Sequence, residues 1–192
     1  RRRRHLHAYL LNWDFALIYA LEREPLPRIE LGRRTHERVH FELDSEHPLA
    51  GSHHQKIVVI DDAVAFVGGL DLTIRRWDTP DHRPDEPRRV DPRGESYGPF
   101  HDVQMAVDGE AATALGELAR RRWFRATGER IRSPRSGRDV WPPDLAADME
   151  NVEVAVARTR PAWGGEVEIR EVETLHLDAI AAARSLIYFE NQ

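Results

Sequence analysis

The chain has 192 residues, 41% of them hydrophobic and 32% charged, a soluble globular composition large enough for one substantial α/β domain. Its apolar runs all fall short of the roughly 20 residues that cross a bilayer. A net charge of −5 argues against broad nucleic-acid binding, and the absence of cysteine excludes disulfides and thiolate-bound zinc.

In chain order, the sequence opens on Arg1-Arg2-Arg3-Arg4. His7, Asn12 and Asp14 then break up the apolar residues behind that run, so it does not read as a signal peptide. Phe15, Ile18 and Tyr19 have helical spacing within Asn12 to Arg23, and Pro25 and Pro27 close that segment, which predicts an amphipathic helix. Val39 to Leu43 alternates as a half-buried strand does. Lys56 to Ile60 and Ala63 to Val67 are apolar, β-branched runs either side of Asp61-Asp62, which predicts two strands covered on both faces. Gly68-Gly69 permits a tight backbone path after the second.

Residues 77–99 hold five prolines and no periodic pattern, and they read as a long surface loop. Val103 to Val107 predicts a strand and Gly109 to Arg125 a helix, with Arg120-Arg121-Arg122 as a solvated face. A polar connector, residues 127–143, leads to a strand at Val152 to Ala157, a helix at Val172 to Ser185 and a strand at Ile187. Strands alternating with helices predict an α/β layered sandwich, a mixed β-sheet flanked by helices. The apolar run at the end, Leu186 to Phe189, reads as part of a longer polypeptide.

The chemistry concentrates at Ser52-His53-His54-Gln55-Lys56-Ile57-Val58-Val59-Ile60-Asp61. His54, Lys56 and Asp61 spell H-x-K-x4-D. Residues i and i+2 of a strand share a face, so the His54 imidazole and the Lys56 ammonium project together. A neutral imidazole can attack phosphorus, and a neighbouring cation stabilises charge on the phosphoryl oxygens. Lys56 is also the one lysine among 28 basic residues. It marks a place where a compact ammonium does what a planar guanidinium cannot.

At these residues the sequence resembles the phospholipase D superfamily, whose signature is H-x-K-x4-D. Phe66-Val67-Gly68-Gly69-Leu70-Asp71-Leu72 and Arg76-Trp77-Asp78-Thr79-Pro80-Asp81-His82 are similar to the branch that includes the eukaryotic enzymes. So are Pro99-Phe100-His101-Asp102-Val103, Arg122-Trp123 and Ile187-Tyr188-Phe189-Glu190-Asn191-Gln192. The resemblance implies that residues 1–192 are an amino-terminal catalytic half, truncated at both ends. It implies His54 as the nucleophile that becomes a phosphohistidine and Lys56 as the phosphate-binding cation. Asp102 is then the carboxylate that orients the imidazole. Asp71 falls where many bacterial members carry a phosphate-contacting asparagine, and a carboxylate there must be neutralised or turned away. Asp61, the last position of the signature, reads more readily as a turn residue.

The reaction so implied cleaves phospholipid head groups at a membrane surface in two steps, needs no cofactor or metal, and needs a second histidine. This sequence holds one H-x-K, so the second comes from the same longer chain or from a homodimer. The protein is then cytoplasmic or peripheral to the membrane. Alternatives are a phospholipid synthase or nuclease of the same superfamily, or a non-catalytic domain of that fold. A rival motif, His36-Glu37-Arg38-Val39-His40, spells the H-E-x-x-H of zinc proteases. That chemistry needs a helix, and on a strand the two histidines lie roughly 13 Å apart, too far to share a metal.

Overall fold

The structure is a computed structural model that describes residues 5–14, 36–49, 51–134 and 140–190. The chain divides into two units, one of Arg1–His53, Arg125–Gly128 and Asn151–Gln192, the other of His54–Phe124 and Glu129–Glu150.

In the first unit, β1 (Ala8–Trp13) pairs in parallel with β2 (Val39–Asp44). Asn12 and Trp13 therefore belong to a strand and not to the expected helix, whose remaining residues from Phe15 on lie outside the described ones. His7, Tyr9 and His40 stack along this pair, with Nδ1 of His7 3.1 Å from Nε2 of His40. Later in the unit, β6 (Thr159–Arg160) and β7 (Ile169–Arg170) form a short antiparallel pair, and α2 (Glu171–Ala182) comes directly after. The strand expected at Val152 to Ala157 is irregular chain, as is Ile187. The pairing falls instead around Trp163-Gly164-Gly165-Glu166, where both glycines have positive φ (59° and 83°) and Trp163 bridges Glu166. A Gly-Gly turn outranks an apolar run with no partner within reach.

The second unit is built on three antiparallel strands in the order β3 (Lys56–Ile60), β4 (Val64–Gly68), β5 (Gln104–Asp108). α1 (Gly109–Thr127) continues from β5 at once. Alternation sends Ile57 and Val59, Ala65 and Val67, and Val107 to one face. There Ile57, Val59, Val67 and Val107 pack against Ala65, Ala112 and Leu115, the buried cluster that seats α1 on the sheet. The β4–β5 register places Val64 and Phe66 on the other face, where Val64 is buried and Phe66 half-buried. Parallel and antiparallel strands with helices make the protein α/β, as its sequence predicts.

The β3–β4 turn has positive φ at Asp61 (51°) and Asp62 (55°), with the Ala63 amide bonded to the Ile60 carbonyl. Aspartate tolerates that backbone, and its sense of twist suits a hairpin. The turn is pinned to α1. Oδ1 of Asp62 accepts from Nη1 of Arg120 at 2.7 Å, and the Asp62 carbonyl accepts from Oγ1 of Thr113 at 3.3 Å. Arg120 is thus an anchor and not part of a solvated face. A Cβ on Gly116 would stand 2.1 Å from the same Asp62 oxygen. Gly116→Ala must push the carboxylate off Arg120. We expect a loss of about 1–3 kcal/mol in urea denaturation, and unchanged stability would refute the anchor.

Candidate functional site

The register fixes which residues can meet. Lys56 pairs with Gly68, and Gly68 pairs with Gln104, so the start of β3, the end of β4 and the start of β5 form one edge of the sheet. His54 lies just before that edge, Asp71 just after it, and Asp102 just before it on the far strand. Of the residues singled out in the sequence, the fold brings these four to the same end. It does not bring Asp61, which occupies the turn at the other end of β3, five residues and about 17 Å from Lys56.

Gln55, between His54 and Lys56, accepts from Nη1 of Arg122 of α1 at 2.8 Å. Lys56 opens β3 and alternates away from Ile57, which packs on the α1 face, while His54 and Gln55 come just before the strand. Arg122, which the sequence places on a solvated face and in the family resemblance, instead holds the residue between His54 and Lys56. His54 is exposed, whereas the Lys56 side chain keeps only 10% of its surface.

A nearly buried ammonium requires acceptors. Nζ of Lys56 donates to the His54 carbonyl at 3.1 Å and lies 3.2 Å from Oδ1 of Asp71. The other Asp71 oxygen lies 3.6 Å from Nη2 of Arg76, whose guanidinium sits 5.0 Å from the centre of the Phe100 ring. Burial pushes the Asp71 carboxyl upward, but the bonds and charges of Lys56 and Arg76 together outweigh it and hold the group below its ordinary value. The carboxylate is neutralised in place, by two cations.

The double glycine has a different reason from the one its sequence suggests. Neither Gly68 nor Gly69 has positive φ; both are places where another segment approaches closely. A Cβ on Gly68 would lie 2.3 Å from the Val103 carbonyl oxygen and 2.7 Å from Cα of Gln104. On Gly69 it would lie 2.1 Å from Oδ1 of Asp102, so glycine here is what lets the Asp102 carboxylate rest over the end of β4. Oδ1 of Asp102 accepts from the Val103 amide at 2.8 Å, and the Gly69 amide donates to the Val103 carbonyl at 3.1 Å. Among the described residues no hydrogen bond joins Asp102 to the His54 ring.

Residues 77–99 contain no helix and no strand beyond the Val90–Ser96 bridge, yet they have an interior of their own. It is Arg89, 1% exposed. Its guanidinium donates to the Tyr97, Arg83 and Pro84 carbonyls and to Oδ1 of Asp78 at 2.7 Å. Asp78 also accepts from the Thr79 amide, from Nδ1 of His82 at 3.0 Å and from the Phe100 amide at 2.8 Å. The last bond ties the loop to the segment that delivers Asp102. His82 in turn places Nε2 3.3 Å from Nδ1 of His101. Burial pushes the Asp78 carboxyl up, but these donors outweigh it and hold it far below the carboxylate range.

The rival motif resolves as the strand alternative requires. His36 to Arg38 are coil and turn and His40 is in β2, so no helix carries H-E-x-x-H. Among the described residues, no three His, Asp or Glu side chains are grouped to hold a metal.

The phospholipase D family model matches residues 28–163 of this chain. The chain belongs to the phospholipase D family. Eukaryotic members are similar to it. It is 26% identical to phospholipase D1 of Schizosaccharomyces pombe over 77% of this chain and 14% of that protein. It is 27% identical to phospholipase D A of Dictyostelium discoideum, over 76% and 13% respectively. With phospholipase D alpha 1 of Vigna unguiculata the identity is 29%, over 73% and 24%. The chain therefore spans less than a quarter of the length of these relatives. No helix among the described residues is long and apolar enough to cross a membrane.

Two measurements probe this edge and the loop beside it. Gly68→Ala meets backbone atoms and is expected to destabilise the fold in urea, whereas Gly69→Ala meets only the end of a side chain and is expected to leave stability nearly intact while displacing Asp102. Equal loss in both variants would show that the Gly69 contact is not specific to the carboxylate. For Asp78, a depressed native pKa means its contribution is complete above about pH 4 and is lost as the pH falls further. Asp78→Asn should therefore flatten the acid limb of the stability profile, and an unchanged limb would count against the network.

Proposed function

We propose that this chain is the first catalytic half of a phospholipase D-type phosphodiesterase that acts on phospholipids at a membrane surface. The observation that carries the reading is the common edge of β3, β4 and β5, where His54, Lys56, Asp71 and Asp102 gather in a chain that belongs to this family. The names of its relatives add phospholipid as the substrate class.

In this reading His54 attacks phosphorus in line, and the bond to the head-group oxygen breaks as the bond to nitrogen forms. Lys56 neutralises charge on the non-bridging oxygens. Asp102, raised over Gly69, makes no bond to His54 among the described residues; in the reacting complex it accepts from the second ring nitrogen, holds the tautomer and stabilises the imidazolium, as an orienting acid does behind a histidine. A second histidine protonates the departing alcohol, then takes a proton from water or another alcohol, whose oxygen displaces His54. Two displacements restore the configuration at phosphorus. The second histidine belongs to a further segment of a longer chain or to a second copy, because these residues hold one H-x-K. The loop over residues 77–99 is tied through Asp78 to Phe100, just before Asp102, and Asp61 stays outside the half-site as a turn residue.

The test is His54→Ala in the enzyme containing both halves. Hydrolysis of phosphatidylcholine and transfer to ethanol should fall together by roughly a thousandfold or more, with no phosphohistidine recovered from the peptide that holds residue 54. Full activity in that variant would end the nucleophile assignment. Phospholipid binding with no turnover in the unaltered enzyme would favour the non-catalytic domain.

A further inference from the structure

The pairing of Lys56 with Asp71 raises a question about charge that the proposed reaction does not answer. A phosphodiester carries one negative charge, whereas a phosphomonoester, including the phosphatidic acid that hydrolysis releases, carries nearly two at neutral pH. Lys56 and Arg76 are two cations, and with both available the site would attract a dianion more strongly than a monoanion. Asp71 stands between them, 3.2 Å from Nζ of one and 3.6 Å from Nη2 of the other. Two cations and one carboxylate leave a single positive charge. The Asp102 carboxylate at the same edge accepts from the Val103 amide; its charge is the same in every variant compared below and does not enter their differences.

We infer that Asp71 is the specificity-determining residue of this site: it cancels one of two cations, so that the site accepts a monoanionic phosphodiester and releases the dianionic product. The inference rests on the reading of Lys56 as the phosphate-binding cation and adds a role for Asp71 and Arg76. Geometry favours it over a purely structural carboxylate in two ways. Asp71 is 40% exposed and Arg76 34%, so both reach solvent where a ligand arrives, unlike the Asp78–Arg89 pair. Stacking on Phe100 holds the Arg76 guanidinium in place whether or not it is paired with Asp71.

Charge counting supplies a test that shape cannot mimic. The full chain is titrated calorimetrically at pH 8 with phenyl phosphate, a dianion, and with methyl phenyl phosphate, a monoanion of nearly the same shape. D71N keeps the size and hydrogen-bonding oxygen of Asp71, and it should tighten phenyl phosphate binding about tenfold while changing the diester much less. R76Q should weaken both. The double variant D71N/R76Q restores a single positive charge, and its diester-to-monoester ratio should return to within about twofold of the original protein. An unchanged ratio in D71N, or a double variant that stays monoester-preferring, would overturn the inference and leave the phosphate role of Lys56 standing. Binding of both probes that survives Lys56→Ala would overturn that role itself, and the inference with it. Failure of D71N to bind either probe would also overturn it, since that variant should bind the dianion best.

Discussion

A row of three residues, Lys56, Gly68 and Gln104, sets everything else at this site. Because β4 runs against both its neighbours, the start of β3 and the start of β5 meet its end, and residues far apart in sequence reach one edge. The middle member must be glycine, because the backbone at Val103 and Gln104 occupies the space a side chain would take. A shift of the register by one residue would turn Lys56 towards the α1 face and Gln55 away from it. The contact between Gln55 and Arg122 and the anchor of Asp62 on Arg120 hold opposite ends of β3 against that slip.

The α1 face of the sheet and the segment between β4 and β5 are stabilised by different means. The α1 side is apolar, a small cluster around Ala65, Ala112 and Leu115. The segment between β4 and β5 is held by ions and backbone carbonyls, with Arg89 where a leucine would sit in an ordinary core. Buried ion pairs of this kind add little net stability, because desolvation offsets attraction, but they are costly to break singly and they fix geometry. Here the geometry fixed is that of Phe100, and through it the approach of Asp102.

That contrast explains what was legible in the sequence. Strands β3 and β4, strand β5 and helix α1 could be read directly, since apolar runs and helical spacing arise from covering one hydrophobic face. Lys56 was legible at the start of β3 because a strand's apolar run is a local signal, whereas His54 precedes the strand and was legible only through the H-x-K spacing. The polar interior of residues 77–99 was not legible, because hydrogen bonds from Arg89 to scattered carbonyls leave no periodic trace. The purpose of Gly68 and Gly69 was hidden as well. Their conformation is ordinary, and what makes them necessary is a segment more than 30 residues away. Val152 to Ala157 misled for the opposite reason: it has the composition of a strand, while the turn at Gly164-Gly165 sets the pairing a few residues further on.

The solitary lysine has a chemical consequence. Amine-directed reagents such as acyl esters, cyanate or reducing aldehydes find one side-chain target in these 192 residues, and it lies at the edge where the sheet gathers its polar groups. The protein thus carries a built-in address for covalent labelling. Reductive methylation with isotopic formaldehyde keeps the positive charge and would report on the contact between Lys56 and Asp71, whereas acylation or carbamoylation would remove that charge and break the pair.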